Sequence, residues 1–239
     1  MIKKEKGIVL TGIDYSNSSR IIRIFTEKSG VVSLIAKGIR KPKSRLRGNA
    51  ESLSFIEFTY YEKERRELGV LKEANIIEPF LQIKEDLQLL NIAYGICFIL
   101  QHIPHSHRSI FRIALRSLEV LEKKKSKEVI FYFLLYLYKS EGIFPEIKKC
   151  VVCGNKDTGF LSIKEGGLKC RNCYTEGDIM LGKWYDIFKC ILKGRLSNCT
   201  HYSDKEKEKL LQILIDYGVY HLGDWVAHLR NILPSFNSA

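Results

Sequence analysis

Several things are scarce or missing in these 239 residues, and each absence narrows the function. No apolar run is long enough to span a bilayer; the longest, residues 129–138, has ten residues, about half of the ~20 a span requires. The opening MIKKEKGIVL sets three lysines and a glutamate before a short apolar run, which does not read as a signal peptide. No G-x-x-x-x-G-K-[ST] segment occurs, so nothing reads as a nucleotide-hydrolysing phosphate loop. Acid is in deficit: 27 Asp and Glu stand against 39 Lys and Arg, giving a net charge of +12. That balance favours an anionic partner, either nucleic acid or a membrane surface. The seven cysteines are an odd number, and four of them fall in two C-x-x-C pairs. This suits a reducing compartment and a metal better than a disulfide framework.

The deficit of acid is sharpest at residues 37–47. Six of the eleven are basic (Lys37, Arg40, Lys41, Lys43, Arg45 and Arg47) and none is acidic. Pro42 lacks an N–H and biases Lys41 toward extended backbone, and Gly38 and Gly48 bracket the run, so it reads as a loop. Each cation there can neutralise one phosphate and release its counterion. Taken alone, the segment reads equally as a solvated basic loop or a localisation tract.

Residues 1–80 read as a small β domain. Strands are expected at 7–12, 20–26, 31–36, 53–61 and 69–77, with Ile56, Phe58 and Tyr60 on one face of the fourth. Five short strands with one long connection between the third and fourth fit a closed barrel of the oligonucleotide-binding type (OB-fold). Such a barrel leaves its loops and one strand face to hold a nucleic-acid backbone. Arg20 and Arg23 either add charge to that face or stand on a solvent-exposed strand edge. Phe58 and Tyr60 read as core, so no exposed aromatic for base stacking stands out.

After Pro79 the period becomes helical, making the whole chain α+β with a second domain over 81–239. Helices are expected at 84–102, 110–123 and 129–138, the last apolar all round and so central to a bundle. A further helix carries Trp184, Ile187, Phe188, Ile191 and Leu192 and ends at Gly194. One or two more fill 204–230, with Ser203 and Asp204 as cap candidates. Cys97 lies on an apolar stripe and reads as a core thiol. His102, His105 and His107 flank Pro104 with no carboxylate partner at a defined spacing, which argues against catalysis. Trp225 reads as packed in the bundle, or as part of an apolar groove near Arg230 suited to an acidic, hydrophobic-tipped peptide.

The strongest short motif is C-x2-C-x16-C-x2-C, formed by Cys150, Cys153, Cys170 and Cys173. Two tight turns presenting four thiolates suit one tetrahedral Zn²⁺, in an insertion at about 148–176. Four sulfurs leave no open position, so such a site stabilises and does not catalyse. Gly154 is expected to relieve crowding after the first pair. Cys190 and Cys199 fall outside the spacing and read as ordinary thiols.

These residues together resemble the RecO family of DNA repair proteins over nearly the full length. The resemblance rests on Gly7-Ile8-Val9-Leu10 with Asp14-Tyr15 and Ser18-Ser19, on Ile24-Phe25-Thr26 with Gly30, and on the stretch from Ala36 to Arg45. In the second half it rests on Cys150-x-x-Cys153 and on Gly166-Gly167-Leu168-Lys169-Cys170-Arg171-Asn172-Cys173. It departs after Tyr15, where Ser16-Asn17 stands in place of a Gly-Glu pair. The resemblance implies an OB-fold barrel and a helical domain with a zinc insertion. It also implies binding of single- and double-stranded DNA, annealing of complementary strands, and loading of recombinase, together with RecR, onto DNA coated by single-stranded DNA-binding protein. Docking of that protein's acidic tail and a bacterial, cytoplasmic, nucleoid-associated setting are implied too.

The expected activity is then that of a non-enzymatic mediator, driven by base pairing and counterion release. Two other classes compete. A zinc nuclease or ligase-like enzyme needs an open metal site or paired carboxylates, and Glu57, Glu62 and Glu64 are only scattered candidates. A zinc-ribbon RNA-binding or transcription-associated protein would share the basic charge and the cysteine quartet.

Overall fold

The structure, a computed structural model, describes residues 1–62, 68–103, 108–182, 185–186 and 203–233. Its first 80 residues form five strands: β1 (Ile2–Asp14), β2 (Arg20–Thr26), β3 (Gly30–Ala36), β4 (Phe55–Tyr61) and β5 (Leu68–Glu78). They pair in the order β1-β2-β3-β5-β4, and β4 returns to β1, closing a barrel. All pairings are antiparallel except β3 with β5, which run parallel through Leu34↔Gly69 and Ile35↔Val70. Alternation puts Ile22 and Ile24 of β2 and Ile56, Phe58 and Tyr60 of β4 into one buried cluster with Val9, Leu34 and Leu71.

β1 begins five residues earlier than the pattern at 7–12 suggests, because Ile2-Lys3-Lys4-Glu5-Lys6 pairs with β4 from Ile2↔Tyr61 onward. Its charged sequence conceals a strand whose Glu5 faces inward. That carboxylate accepts from Tyr60 Oη at 3.1 Å and Ser29 Oγ at 2.7 Å. Burial, reinforced by the Glu5 charge, pushes the Tyr60 phenol up to about 12.

The helical stretch expected at 84–102 is two helices, α1 (Leu81–Glu85) and α2 (Leu87–His102). Asp86 separates them: its backbone is extended, and its carboxylate accepts from the N–H groups of Gln88 and Leu89 at 2.9 and 3.1 Å. An N-cap of this kind starts a helix by satisfying its orphan donors. Cys97 of α2 is buried, and desolvation pushes its thiol up to about 12, as befits a core residue. α3 (Arg108–Lys124) packs Phe111 at 6.2 Å from the rings of both Phe25 and Phe55. Its Glu122 accepts from the first N–H groups of α1. Three helices therefore share the barrel's packing, and the first compact unit runs Met1–Lys125, past the boundary read near residue 80.

The second compact unit is Ser126–Ala239. α4 (Val129–Ser140) buries eight of its residues, as an all-apolar helix must. It packs with α5 (Asp204–Leu222), where Tyr138 Oη donates to the Leu214 carbonyl at 2.6 Å. Ser203 caps α5, with the Glu206 carboxylate accepting from the Ser203 N–H at 2.8 Å. A 3₁₀ turn (Asp224–His228) and α6 (Leu229–Ile232) follow. Trp225 is half-buried and donates from Nε1 to the Leu222 carbonyl at 3.0 Å. Between α4 and α5 lies a small sheet, β7-β6-β8, made of β6 (Phe160–Ser162), β7 (Gly167–Lys169) and β8 (Ile179–Met180). Glu64, His105, His107, Trp184, Cys190, Cys199 and the helix expected to end at Gly194 lie outside the described residues. Among the described residues, no helix is long and apolar enough to cross a membrane.

Candidate nucleic-acid interface and metal centre

The basic segment connects β3 to β4 as a chain of turns. N–H groups of Lys41, Ser44 and Arg47 each donate to the carbonyl three residues back, at 3.0–3.2 Å. Apolar residues interrupt the cations at Ile39, Leu46 and Ala50, which are 6%, 8% and 1% exposed and belong to the barrel's core cluster. Lys37, Arg40, Lys41, Lys43, Arg45 and Arg47 are all exposed. The loop is thus pinned from below by its own apolar residues while its six cations face water. Gly38 and Gly48, at φ +69° and +77°, turn the chain at either end.

The loop is also tied to the β1–β2 turn. The Arg40 N–H donates to the Ser18 carbonyl at 3.1 Å, and the Gly38 N–H reaches Ser19 Oγ at 3.4 Å. Asp14 places its carboxylate 3.2 Å from both Arg20 Nε and Arg40 Nη1. Arg20, Ile39, Arg40, Arg47, Ala50 and Glu51 line a cleft of about 230 Å³ here. Gly12 contributes by having no side chain: a Cβ there would stand 3.1 Å from Arg20 Nε, where the arginine crosses β1. Neither Asp14 nor Gly12 stands out as a site residue in the sequence, because the partner of each is set by the β1–β2 register, Asp14↔Arg20.

Of the two strand arginines, Arg20 joins the cleft. Arg23 instead donates from Nη1 to Gln101 Oε1 of α2 at 3.2 Å and is half-buried. His102 lies 2.9 Å from the Phe98 carbonyl through Nδ1 and packs on the Phe98 ring at 4.5 Å.

In the second unit, one ligand atom from each of Cys150, Cys153, Cys170 and Cys173 lies within 4.8 Å of the others, and the Cys153–Cys170 sulfurs are 3.6 Å apart. A tetrahedral ion with metal–sulfur bonds of ~2.3 Å sets sulfur separations of about 3.8 Å. The quartet therefore fits a metal ion held by four sulfurs. Each pair is a tight turn: the Gly154 N–H donates to the Cys150 carbonyl at 2.9 Å, and the Cys173 N–H to the Cys170 carbonyl at 3.1 Å. Gly154 does not relieve crowding, since a Cβ there would meet nothing within 4 Å. It is required by its φ of +77°. Crowding sits at Gly167, where a Cβ would come within 2.5 Å of Val151 Cγ1 and 2.8 Å of the Glu146 carbonyl.

Two of the thiols shift in opposite directions. Burial acts to raise Cys150, but backbone hydrogen bonds from Cys153, Cys170 and Val152 outweigh it and bring its pKa down to about 6. Hydrogen bonds that the Cys173 thiol donates toward Cys153 and Cys170, with burial, push it up to about 12. Thiolates this close together repel one another unless a positive charge lies among them, which favours a cation at the cluster. Beside it, Lys169 is 2% exposed, with Nζ 3.2 Å from Glu165 and Asp178 and 2.9 Å from Thr175 Oγ1. In the sequence Lys169 looks like a surface lysine.

A strand barrel with an anchored cationic loop, followed by a helical unit whose four clustered cysteines could hold a metal ion, defines a two-part basic protein. The N-terminal model of the Recombination protein O family matches residues 1–80, and its C-terminal model matches residues 98–230. The chain belongs to the RecO family. Among its relatives, "DNA repair protein RecO" of Bacillus pumilus is 28% identical over 91% of this chain and 88% of that protein. The proteins of the same name from Caldicellulosiruptor bescii and an Exiguobacterium species are 31% and 30% identical, over 79% and 77% of this chain and 78% and 75% of their own length.

Proposed function

We propose that this chain is a DNA-binding recombination mediator of DNA repair that pairs complementary strands without hydrolysing a nucleotide. The observation that carries this reading is the loop after β3, which holds six cations in water on apolar anchors set in the barrel. Phosphates of two strands seated along Lys37, Arg40, Lys41, Lys43, Arg45 and Arg47 no longer repel each other fully. Released counterions and base pairing then supply the free energy. Arg20 extends the phosphate path through the cleft, whereas Arg23 contributes mainly to packing. The barrel is read as an OB-fold, whose topology suits a strand lying across its face. The cysteine quartet is read as one Zn²⁺ site that holds the β6–β8 sheet together and takes no part in chemistry.

The family supports partners beyond DNA: RecR, the tail of single-stranded DNA-binding protein, and recombinase acted on indirectly. The test is an annealing assay on strands coated with the cognate single-stranded DNA-binding protein, with and without RecR. Faster annealing with the chain present, and further change with RecR, is expected. For the loop, the quadruple Lys37/Arg40/Lys41/Lys43→Ala variant should bind duplex DNA more weakly. Its log–log salt slope should fall by roughly 3–4, about 0.9 for each phosphate contact removed. An unchanged slope would reject the loop assignment.

A further inference from the structure

The β1–β2 turn presents a side chain that phosphate contact leaves unused. Tyr15 is 63% exposed, and Ile13, two residues before it, is 67% exposed. No described residue's ring, charge or polar group engages the Tyr15 side chain. Its backbone, by contrast, is held: the Tyr15 N–H donates to the Ser19 carbonyl at 3.0 Å, and the Ser19 N–H to Ser16 Oγ at 3.2 Å. The next residues bind the basic loop, through Arg40 N–H to Ser18 and Gly38 N–H to Ser19. The preceding residue, Asp14, ion-pairs with Arg40. The backbone that carries the ring is therefore tied, through Ser18, Ser19 and Asp14, to the row of cations.

A large ring held in water next to phosphate contacts suits one chemistry. Every nucleobase offers a π-face, and an aromatic platform beside a basic groove adds base stacking to backbone contact without sequence choice. A paired base is already stacked on its neighbours and cannot use the platform without being flipped out. We propose that Tyr15 stacks on an unpaired nucleobase of a strand whose phosphates lie on the basic loop, with Ile13 as an apolar flank. The site then selects single-stranded over duplex DNA. This inference rests on the phosphate-contact reading of the loop and adds a base contact to it.

The experiment uses the full chain with Tyr15→Ala and Tyr15→Phe, and three probes of equal length: oligothymidine, an abasic oligodeoxyribose phosphate and a DNA duplex. Tyr15→Ala should lose affinity for oligothymidine on the order of tenfold, the scale of one stacked base. Tyr15→Phe should keep it. Binding of the abasic strand and the duplex, and the salt slope on all three probes, should stay as in the parent. No loss on oligothymidine, equal loss on all three probes, or a Tyr15→Phe variant as weak as Tyr15→Ala would overturn the proposal. The quadruple loop variant, measured on the abasic strand, separates the two readings: parental binding there would reject the loop and not the ring.

Discussion

Asp14 holds two guanidinium groups at once, and that makes it a competitor for whatever anion approaches them. Exposed ion pairs of this kind are worth about 1 kcal/mol or less, so a phosphate can displace the carboxylate at small cost. Asp14→Asn should therefore bind DNA up to about fivefold more tightly at low salt, with a steeper salt dependence read by fluorescence anisotropy. Unaltered affinity would mean that phosphates do not reach Arg20 and Arg40. Lys169 poses the opposite case, a charge inside the knot. Burial works against its charged form, but Glu165 and Asp178 outweigh burial and raise its pKa. Burial likewise works against the Asp178 carboxylate, and hydrogen bonds from Thr175, Ser162 and Lys169 outweigh it and lower its pKa. A raised lysine stabilises the fold below its unfolded value and loses that as pH rises through the folded one; a lowered aspartate does the reverse in acid. The pair's contribution should be full between roughly pH 4 and 10 and fade outside, as thermal melts against pH would show. Lys169→Ala should cost about 3 kcal/mol by leaving Asp178 uncompensated. The double change Lys169→Met with Asp178→Leu should recover most of it.

Among the elements, the anchored loop separates charge from geometry. Leu46→Ala removes buried side-chain volume and no charge, so it should cost about 2–3 kcal/mol of stability. It should weaken DNA binding with the salt slope preserved, unlike a lysine change. Element boundaries were legible where side-chain pattern alone decides them. β2 matches its β-branched run, 20–26, and the apolar 129–138 run became the buried α4. They were illegible where a distant partner decides. The charged start of β1 becomes a strand only because β4 pairs with it, and Glu5 turns inward only because Tyr60 and Ser29 wait there. The sheet beside the cysteines is too short to show a period, at three, three and two residues. The quartet was legible for the opposite reason, since two close pairs need no long-range register to be brought together.

For the whole molecule, the packing of α1–α3 on the barrel decides where the chain can be cut. A fragment of residues 1–125 keeps Phe111 against Phe25 and Phe55 and the Arg108–Glu27 ion pair at 2.8 Å. It should give a cooperative melt and retain salt-dependent DNA binding. A fragment ending at residue 80 exposes Phe25 and Phe55 and should aggregate or melt without cooperativity, as light scattering and circular dichroism would report. Metal removal should act on the other unit. A chelator should loosen the β6–β8 region and raise its protease sensitivity, while residues 1–125 keep their melting behaviour. Metal analysis of fresh, reduced protein should find about one equivalent.

The anchors beneath the basic loop have a bearing on how this segment can change over generations. A surface loop between strands ordinarily tolerates insertions and deletions. Here the spacing from Ile39 to Leu46 to Ala50 seats three residues at fixed places in the barrel core. One residue added between them would lift an anchor out or bury a cation. The charges can drift from lysine to arginine and trade places, but the length between the anchors is expected to be kept. Among relatives, gaps are expected outside residues 39–50.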